Sequence, residues 1–307
     1  MNELFSGLDE MSKSVTATLA ATLVRDSIFQ WDDQLIEYLP DFRLKSETAT
    51  QKLKLRHILS HTEGLPYHAY TDMVDKRAPV DTLINYLKDL NLIAEPGQIY
   101  SYQNVGFSLI GKAIEKVSNK TFEEELNERL FKPLHMQDAS ASYERISLQS
   151  NVAKPHFLVR PMKISEAYYS VAPAGGINAS AQDMALWLKA LLGNNPDVLP
   201  KERLDEIFKP QVSAVARNYY FRKWKPVRKS FYGLGWRVLT FVDGDSIMYH
   251  GGFVNNYRCE VALNRKKKIG IAVMVNSPGF LADQAIPKFF KTYDFYYELS
   301  EKLKRTP

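Results

Sequence analysis

Cysteine is nearly missing from these 307 residues: Cys259 stands alone, so no internal disulfide can form and no cysteine-based zinc site is on offer. Long apolar runs are missing too. No stretch of about 18 apolar residues occurs, so no segment is expected to span a bilayer. The opening MNELFSGLDEMSK is too polar for a signal peptide; with Met1 as the true start, the expected compartment is the cytoplasm. Charge of one sign is scarce as well. Forty Lys and Arg against 35 Asp and Glu give +5, an excess that weakly favours anionic partners but falls short of a nucleic-acid binder. Clusters with metal-ligand spacing are lacking: His57 and His61 fall one turn apart, but no third ligand accompanies them, and neither metal nor cofactor is expected. What is present is 45% hydrophobic and 24% charged residues with 15 Gly and 15 Pro, an ordinary folded composition with material for a large core.

No internal repeat or low-complexity segment interrupts the chain. Segment 12–25, SKSVTATLAATLVR, reads as a helix of small, mostly buried residues with Ser12 as its cap and Val15, Leu19 and Leu23 one turn apart. Residues 53–66, 80–91, 103–118, 121–131 and 180–192 read as further helices, with Pro96-Gly97 making a turn between two of them. From Trp236 the period changes. WRVLTFV, SIMYH, YRCEVAL and IGIAVMVN are short, β-branched or aromatic, and separated by Asp243-Gly244 and the basic turn Arg265 to Lys268, which predicts an antiparallel meander. Residues 281–303 close the chain as a helix with Ile286, Phe289, Phe290, Tyr293 and Tyr297 along one side. The fold class is α+β, one unit over 1–307: a mainly helical region at 26–232, and a sheet with its C-terminal helix at 233–307, the helix 12–25 packing nearby.

Three fragments hold chemistry-bearing side chains. Lys13 enters a mostly apolar helix, where desolvation lowers an amine's pKa toward that of a general base. Tyr102-Gln103-Asn104, between a Pro-Gly turn and a helix, can point a phenol and an amide into one cleft. His250-Gly251-Gly252, at a strand end, lets a substrate lie close to a free backbone N–H that can stabilise an oxyanion. Each alone has an ordinary reading as a solvated lysine, a common tripeptide and a turn. Their order and surrounding text give them weight.

With MSKSVTATLAATLVRD, LKLRHILSHTEGLP, PGQIYSYQNVGFSLIGKAIEK, APAGGINASAQDMALWL, YGLGW and YHGGFVNNYRCEVALNRKKKIGIAVMVNS, the chain resembles the serine beta-lactamase-related hydrolases, the branch of class C beta-lactamases, penicillin-binding proteins and esterases, over about residues 11–290. Ser-x-x-Lys is a signature of such enzymes. The resemblance implies a beta-lactamase/transpeptidase-like fold, an antiparallel sheet flanked by helices with a helical domain beside it and the site between. It implies acylation of a serine followed by hydrolysis or transfer, Lys13 as general base, Tyr102 as second acid/base, Asn104 as substrate contact, and His250 with Gly251 and Gly252 as the facing wall. The substrate class is a small molecule or peptide containing an ester, amide or beta-lactam bond.

One departure decides the expectation. Three residues before Lys13, where the resemblance implies serine, stands Glu10. Ser12 and Ser14 flank the lysine about 100° around the helix and face elsewhere. Glu10 and Lys13 are spaced for an i,i+3 ion pair that would tie up the base. The two N-terminal strands of the family are also missing ahead of Ser12, so a truncated sheet of three or four strands is expected, with an exposed apolar edge at Ile269 to Val275. The expectation is a hydrolase scaffold inactive or impaired as written, with a non-catalytic peptide or cell-wall-fragment binder and a truncated gene remnant as alternatives. A monomer is expected; exported relatives are common in the family.

Residues 207–242 contain no acid yet hold Arg217, Arg222, Lys223, Lys225, Arg228 and Lys229 among aromatic residues. This stretch reads as a solvated insertion, or as a weak anionic-surface contact around Lys223. Asp183 reads as a charge near a helix cap, and Cys259 as a small buried hydrophobe.

Overall fold

The computed structural model describes residues 4–5, 9–214, 221, 224–277 and 279–305. The first helix, α1 (Ser12–Arg25), is buried from Ser12 to Leu23. A helix sunk in a core must settle its polar side chains, and this one folds its hydroxyls onto carbonyls. Thr18 Oγ1 donates to Ser14 O (2.7 Å), Thr22 Oγ1 to Leu19 O (2.8 Å) and Thr16 Oγ1 to Pro173 O (2.8 Å). Ser12 is not its cap. A turn of 3₁₀ helix at Asp9–Met11 leads directly into it, Met11 stands at the N-cap, and the Ser12 hydroxyl accepts the N–H of Ile177 (3.1 Å).

Two helices of the middle region are shorter than periodicity predicts. The segment expected at 53–66 keeps only α2 (Leu55–Leu59), because His61 has φ 57° and Gly64 φ 85° and the chain turns away. His57 and His61 therefore do not share a helix, and no group of three metal-ligating side chains occurs among the described residues. The helix expected at 103–118 begins five residues later, as α3 (Ser108–Ser118), leaving Tyr102 to Asn104 in the loop before it. In α4 (Ala181–Leu191), Asp183 does more than supply a charge near the cap: it and Ser180 cap the helix reciprocally.

Among the described residues the main sheet has six strands rather than three or four: β1 (Val212–Ser213), β2 (Val227–Tyr232), β3 (Arg237–Phe241), β4 (Ser246–Val254), β5 (Tyr257–Asn264) and β6 (Ile269–Val275), each paired antiparallel with its neighbours in chain order. The two extra strands come out of the stretch read as a solvated insertion. Its aromatic residues explain why. Phe221 and Trp224 are buried against Phe241 and Tyr249, and Lys225 is held by Asp243 (2.9 Å) and Asp245 (3.2 Å), so this part is core and ion-pair network rather than a free basic loop. Lys223, with Arg217 and Arg222, lies outside the described residues.

The last helix, α5 (Phe280–Arg305), seats Ile286 and Phe290 on the sheet. Tyr297, expected on the same side, is 53% exposed, because α5 outruns the sheet. At the far side of the sheet from β1, β6 pairs only with β5 among the described residues, the expected edge. Leu4–Phe5 pairs with Val152–Ala153 and Ala179–Ser180 in a small separate sheet.

Candidate active site

Gly235 fixes how closely the sheet meets α1. It sits in the β2–β3 turn with φ 72°, its N–H donates to Leu59 O (2.8 Å), and a Cβ there would stand 2.7 Å from Lys13 O and 2.6 Å from the Ala17 methyl. Only glycine fits both the backbone angle and the space. The sheet is thereby held against the first turn of α1, where Lys13 is.

Lys13 is completely buried. Its ammonium donates to Asn104 Oδ1 (2.7 Å) and to Ala174 O (2.9 Å) and stands 4.6 Å from the centre of the Tyr102 ring. Burial lowers its pKa to about 7, with the negative charge of Glu10 pulling the other way. The expected Glu10–Lys13 ion pair is not formed; the lysine is turned inward to uncharged oxygens. Asn104, also fully buried, is steadied by Thr71, whose Oγ1 accepts from Nδ2 at 3.4 Å.

On the sheet side, His250 is buried, and its Nε2 is 3.1 Å from the Tyr232 hydroxyl. Burial, then the nearby positive charges of Lys13 and Arg237, hold it well below the usual imidazole range, so the ring is neutral. Burial and the charge of Glu10 push the Tyr102 phenol well up. A Cβ at Gly251 would press on the Tyr249 hydroxyl, so a side chain there would require that ring to move. Gly252 follows along the same pocket wall. Glu10 itself reaches across: its Oε2 accepts the N–H of Phe253 at 3.3 Å. Burial raises its carboxyl above the ordinary range, opposed first by Lys13.

Lys13, Tyr102 and Asn104 thus converge in direct contact. Tyr102, His250, Gly251, Gly252 and Glu10 line one open pocket of about 280 Å³. Ser12 and Ser14 face away, the one to Ile177 and the other to Met11 O.

A profile of the beta-lactamase family matches residues 11–289. The chain belongs to the beta-lactamase family. Among curated proteins it is similar to an unguisins hydrolase of Aspergillus campestris, 25% identical over 283 residues, which cover 87% of this chain and 51% of that protein. It is also similar to beta-lactamase-like protein 2 of Dictyostelium discoideum, 25% identical over 257 residues, covering 80% of this chain and 44% of that one. Protein flp of Staphylococcus aureus strain NCTC 8325 is 21% identical over 282 residues, 90% of this chain and 53% of its own. The chain spans about half the length of these relatives. In fold it matches the octameric penicillin-binding protein homologue from Pyrococcus abyssi with a TM-score of 0.81 at 23% identity, over 94% of this chain and 66% of that one. It matches a D-stereospecific amidohydrolase from Streptomyces with 0.72 at 20% identity, over 90% and 83%. The beta-lactamase/transpeptidase-like α+β fold and the hydrolase family are therefore as expected.

Sequence reasoning missed several pocket residues. Arg237, Tyr67, His68, Tyr249 and the Phe253 amide all line the pocket beside the expected residues. Arg237 carried a signal: it is the one charged residue in RVLTF, a strand otherwise apolar but for Thr240. The Phe253 amide was signalled only as an unassigned N–H beside His250-Gly251-Gly252, because a backbone group becomes a site only through its register.

Proposed function

We propose that this beta-lactamase-family chain retains an acyl-transfer pocket in which Lys13 is the base, Tyr102 the second proton carrier, Asn104 the substrate contact and the His250 strand the anion-stabilising wall. In this reading acyl-enzyme hydrolysis is impaired because Glu10 takes the nucleophile's place. The observation that carries it is the position of Glu10. One turn ahead of a lysine whose pKa is about 7, where a hydroxyl would be activated, there is a carboxylate, and it rests on the Phe253 amide.

The chemistry fails at two points. A carboxylate attacking an ester or amide forms an anhydride, a better leaving arrangement than the substrate it replaced, so the forward step does not accumulate. The same carboxylate occupies the N–H that would otherwise stabilise the tetrahedral oxyanion. Lys13, donating to Asn104 and Ala174, is left without a proton to take.

A chromogenic ester tests this by steady-state turnover. The unmodified chain is expected to show no turnover that depends on Lys13. Glu10→Ser is expected to gain at least about a hundredfold, with a rate that rises as pH climbs and Lys13 loses its proton. Removing Glu10 takes away the charge that raises the lysine's pKa, so the midpoint should lie at or below pH 7. Lys13-dependent turnover by the unmodified chain defeats the reading.

A second reading, a binding protein for small peptides or cell-wall fragments, is favoured by the pocket itself, which is open and lined by aromatic rings although its reactive group is replaced.

A further inference from the structure

Residues 145–165 hold Arg145, Lys154, Arg160 and Lys163 and no aspartate or glutamate. In their middle is a small hairpin, where His156–Phe157 pairs antiparallel with Arg160–Pro161, so Leu158 and Val159 alone make the turn. A two-residue turn with positive φ at its first position favours glycine there, and turns in general favour small polar residues. Here Leu158 takes φ 55°, and the tip is apolar: Phe157 is 58% exposed, Leu158 76% and Val159 90%. Single exposed apolar side chains are ordinary. Three in succession on one turn, with a leucine held at an angle it disfavours, mark a contact surface. Arg145 is paired with Glu123 (3.6 Å). Lys154, Arg160 and Lys163 are exposed, and none has an ion-pair partner among the described residues.

The root of the hairpin is fastened to the end of the main sheet. The His156 N–H donates to Asn276 O (2.7 Å), Asn276 Nδ2 to Lys154 O (2.8 Å) and the Tyr257 hydroxyl to Ala153 O (2.6 Å). Asn256 Nδ2 lies 3.0 Å from Met162 Sδ. Asn256 and Tyr257 stand at the β4–β5 turn, and Phe253, three residues before Asn256, lines the pocket. An apolar tip flanked by unpaired cations is the make-up of an interfacial membrane contact: the apolar side chains enter the boundary between headgroups and acyl chains, and the cations meet the anionic lipids. A turn tip offers no concave surface to a folded partner, whereas a fluid bilayer yields to it.

We propose that Phe157, Leu158 and Val159 insert into an anionic bilayer surface, held there by Lys154, Arg160 and Lys163, and so bring the pocket wall at Phe253 near lipid. The assignment does not depend on what the pocket does, and its test needs no turnover.

Co-sedimentation of the full chain with phosphatidylcholine vesicles, with and without about one-third phosphatidylglycerol, tests it at low salt. Binding is expected to the anionic vesicles only, and to weaken at least tenfold at roughly 0.5 M salt. Two variants separate the parts. Leu158→Gly with Val159→Asn gives the turn the residues it favours while removing two apolar side chains, so it should keep or raise the melting temperature and lose at least about tenfold in partitioning. Changing Lys154, Arg160 and Lys163 to Gln leaves the tip intact and should cost about a hundredfold, near fivefold for each cation. Failure to bind anionic vesicles, equal binding to neutral ones, or unchanged partitioning in either variant overturns the proposal. Self-association that the tip variant abolishes, without vesicle binding, gives the tip to a second copy of the chain and overturns it as well.

Discussion

Two glutamates show how much a single side chain decides here. Glu10 was legible as a departure, because its spacing from Lys13 is that of the serine the resemblance implies; its rest on the Phe253 amide was not, since the two lie 243 residues apart in the chain. Glu63 was not legible at all. It is fully buried, and neither carboxyl oxygen has a hydrogen-bond partner. Burial raises its pKa well above the ordinary 4.5. The native state therefore holds this proton more tightly than the unfolded chain does. The resulting stability is complete below about pH 4.5 and is lost as pH rises toward the native pKa, at up to about 1.4 kcal/mol per unit. Glu63→Gln keeps the shape and removes the titration. Urea unfolding at pH 5 and pH 8 is expected to show a smaller loss for this variant than for the unmodified chain. Equal losses would mean that the carboxyl is solvated or paired.

The elements follow the hydrophobic period where the period is long, and depart from it where tertiary contact or turn geometry takes over. Helix α1 appears within its expected bounds, because its small residues and threonines can all be buried at once. Helices α2 and α3 shrink, because positive φ at His61 and Gly64 and the loop bearing Tyr102 are imposed by the site rather than by propensity. Strands β1 and β2 were hidden by charge, since Arg228 and Lys229 face solvent on a strand whose Ser230 and Tyr232 are buried. The tightest junction between elements is Gly235 against α1. Gly235→Ala is expected to cost about 3 kcal/mol, combining strain at positive φ with collision against Lys13 O and Ala17. Equilibrium urea unfolding measures it, and a cost under about 0.5 kcal/mol, the size of an ordinary surface change, would show that the junction is loose.

For the whole molecule, family and fold were readable because the motifs stand in a recognisable order and context along the chain; the structure then brings them together from three distant stretches, Lys13 from α1, Tyr102 and Asn104 from the loop before α3, and His250 from β4. What could not be read was the size of the sheet, which depends on aromatic residues in an acid-free segment choosing the core. No helix among the described residues is long and apolar enough to cross a membrane. Light scattering checks the expected monomer, which should return a mass near 35.2 kDa. The free side of β6 has its own signature. Amides of Ile269–Val275 that point away from β5 have no strand partner among the described residues, and they are expected to exchange hydrogen far faster than those of β5. Equal protection on both strands would mean that something covers this edge in solution.

In the proposed function the pocket is intact and its attacking hydroxyl is gone. Intact-mass spectrometry after incubation with a fluorescent penicillin, followed by peptide mapping, tests it most directly. The unmodified chain should carry no adduct, and Glu10→Ser should carry one, mapped to position 10 and lost when Lys13 is also changed to Met. An adduct on a mapped serine of the unmodified chain would contradict the account.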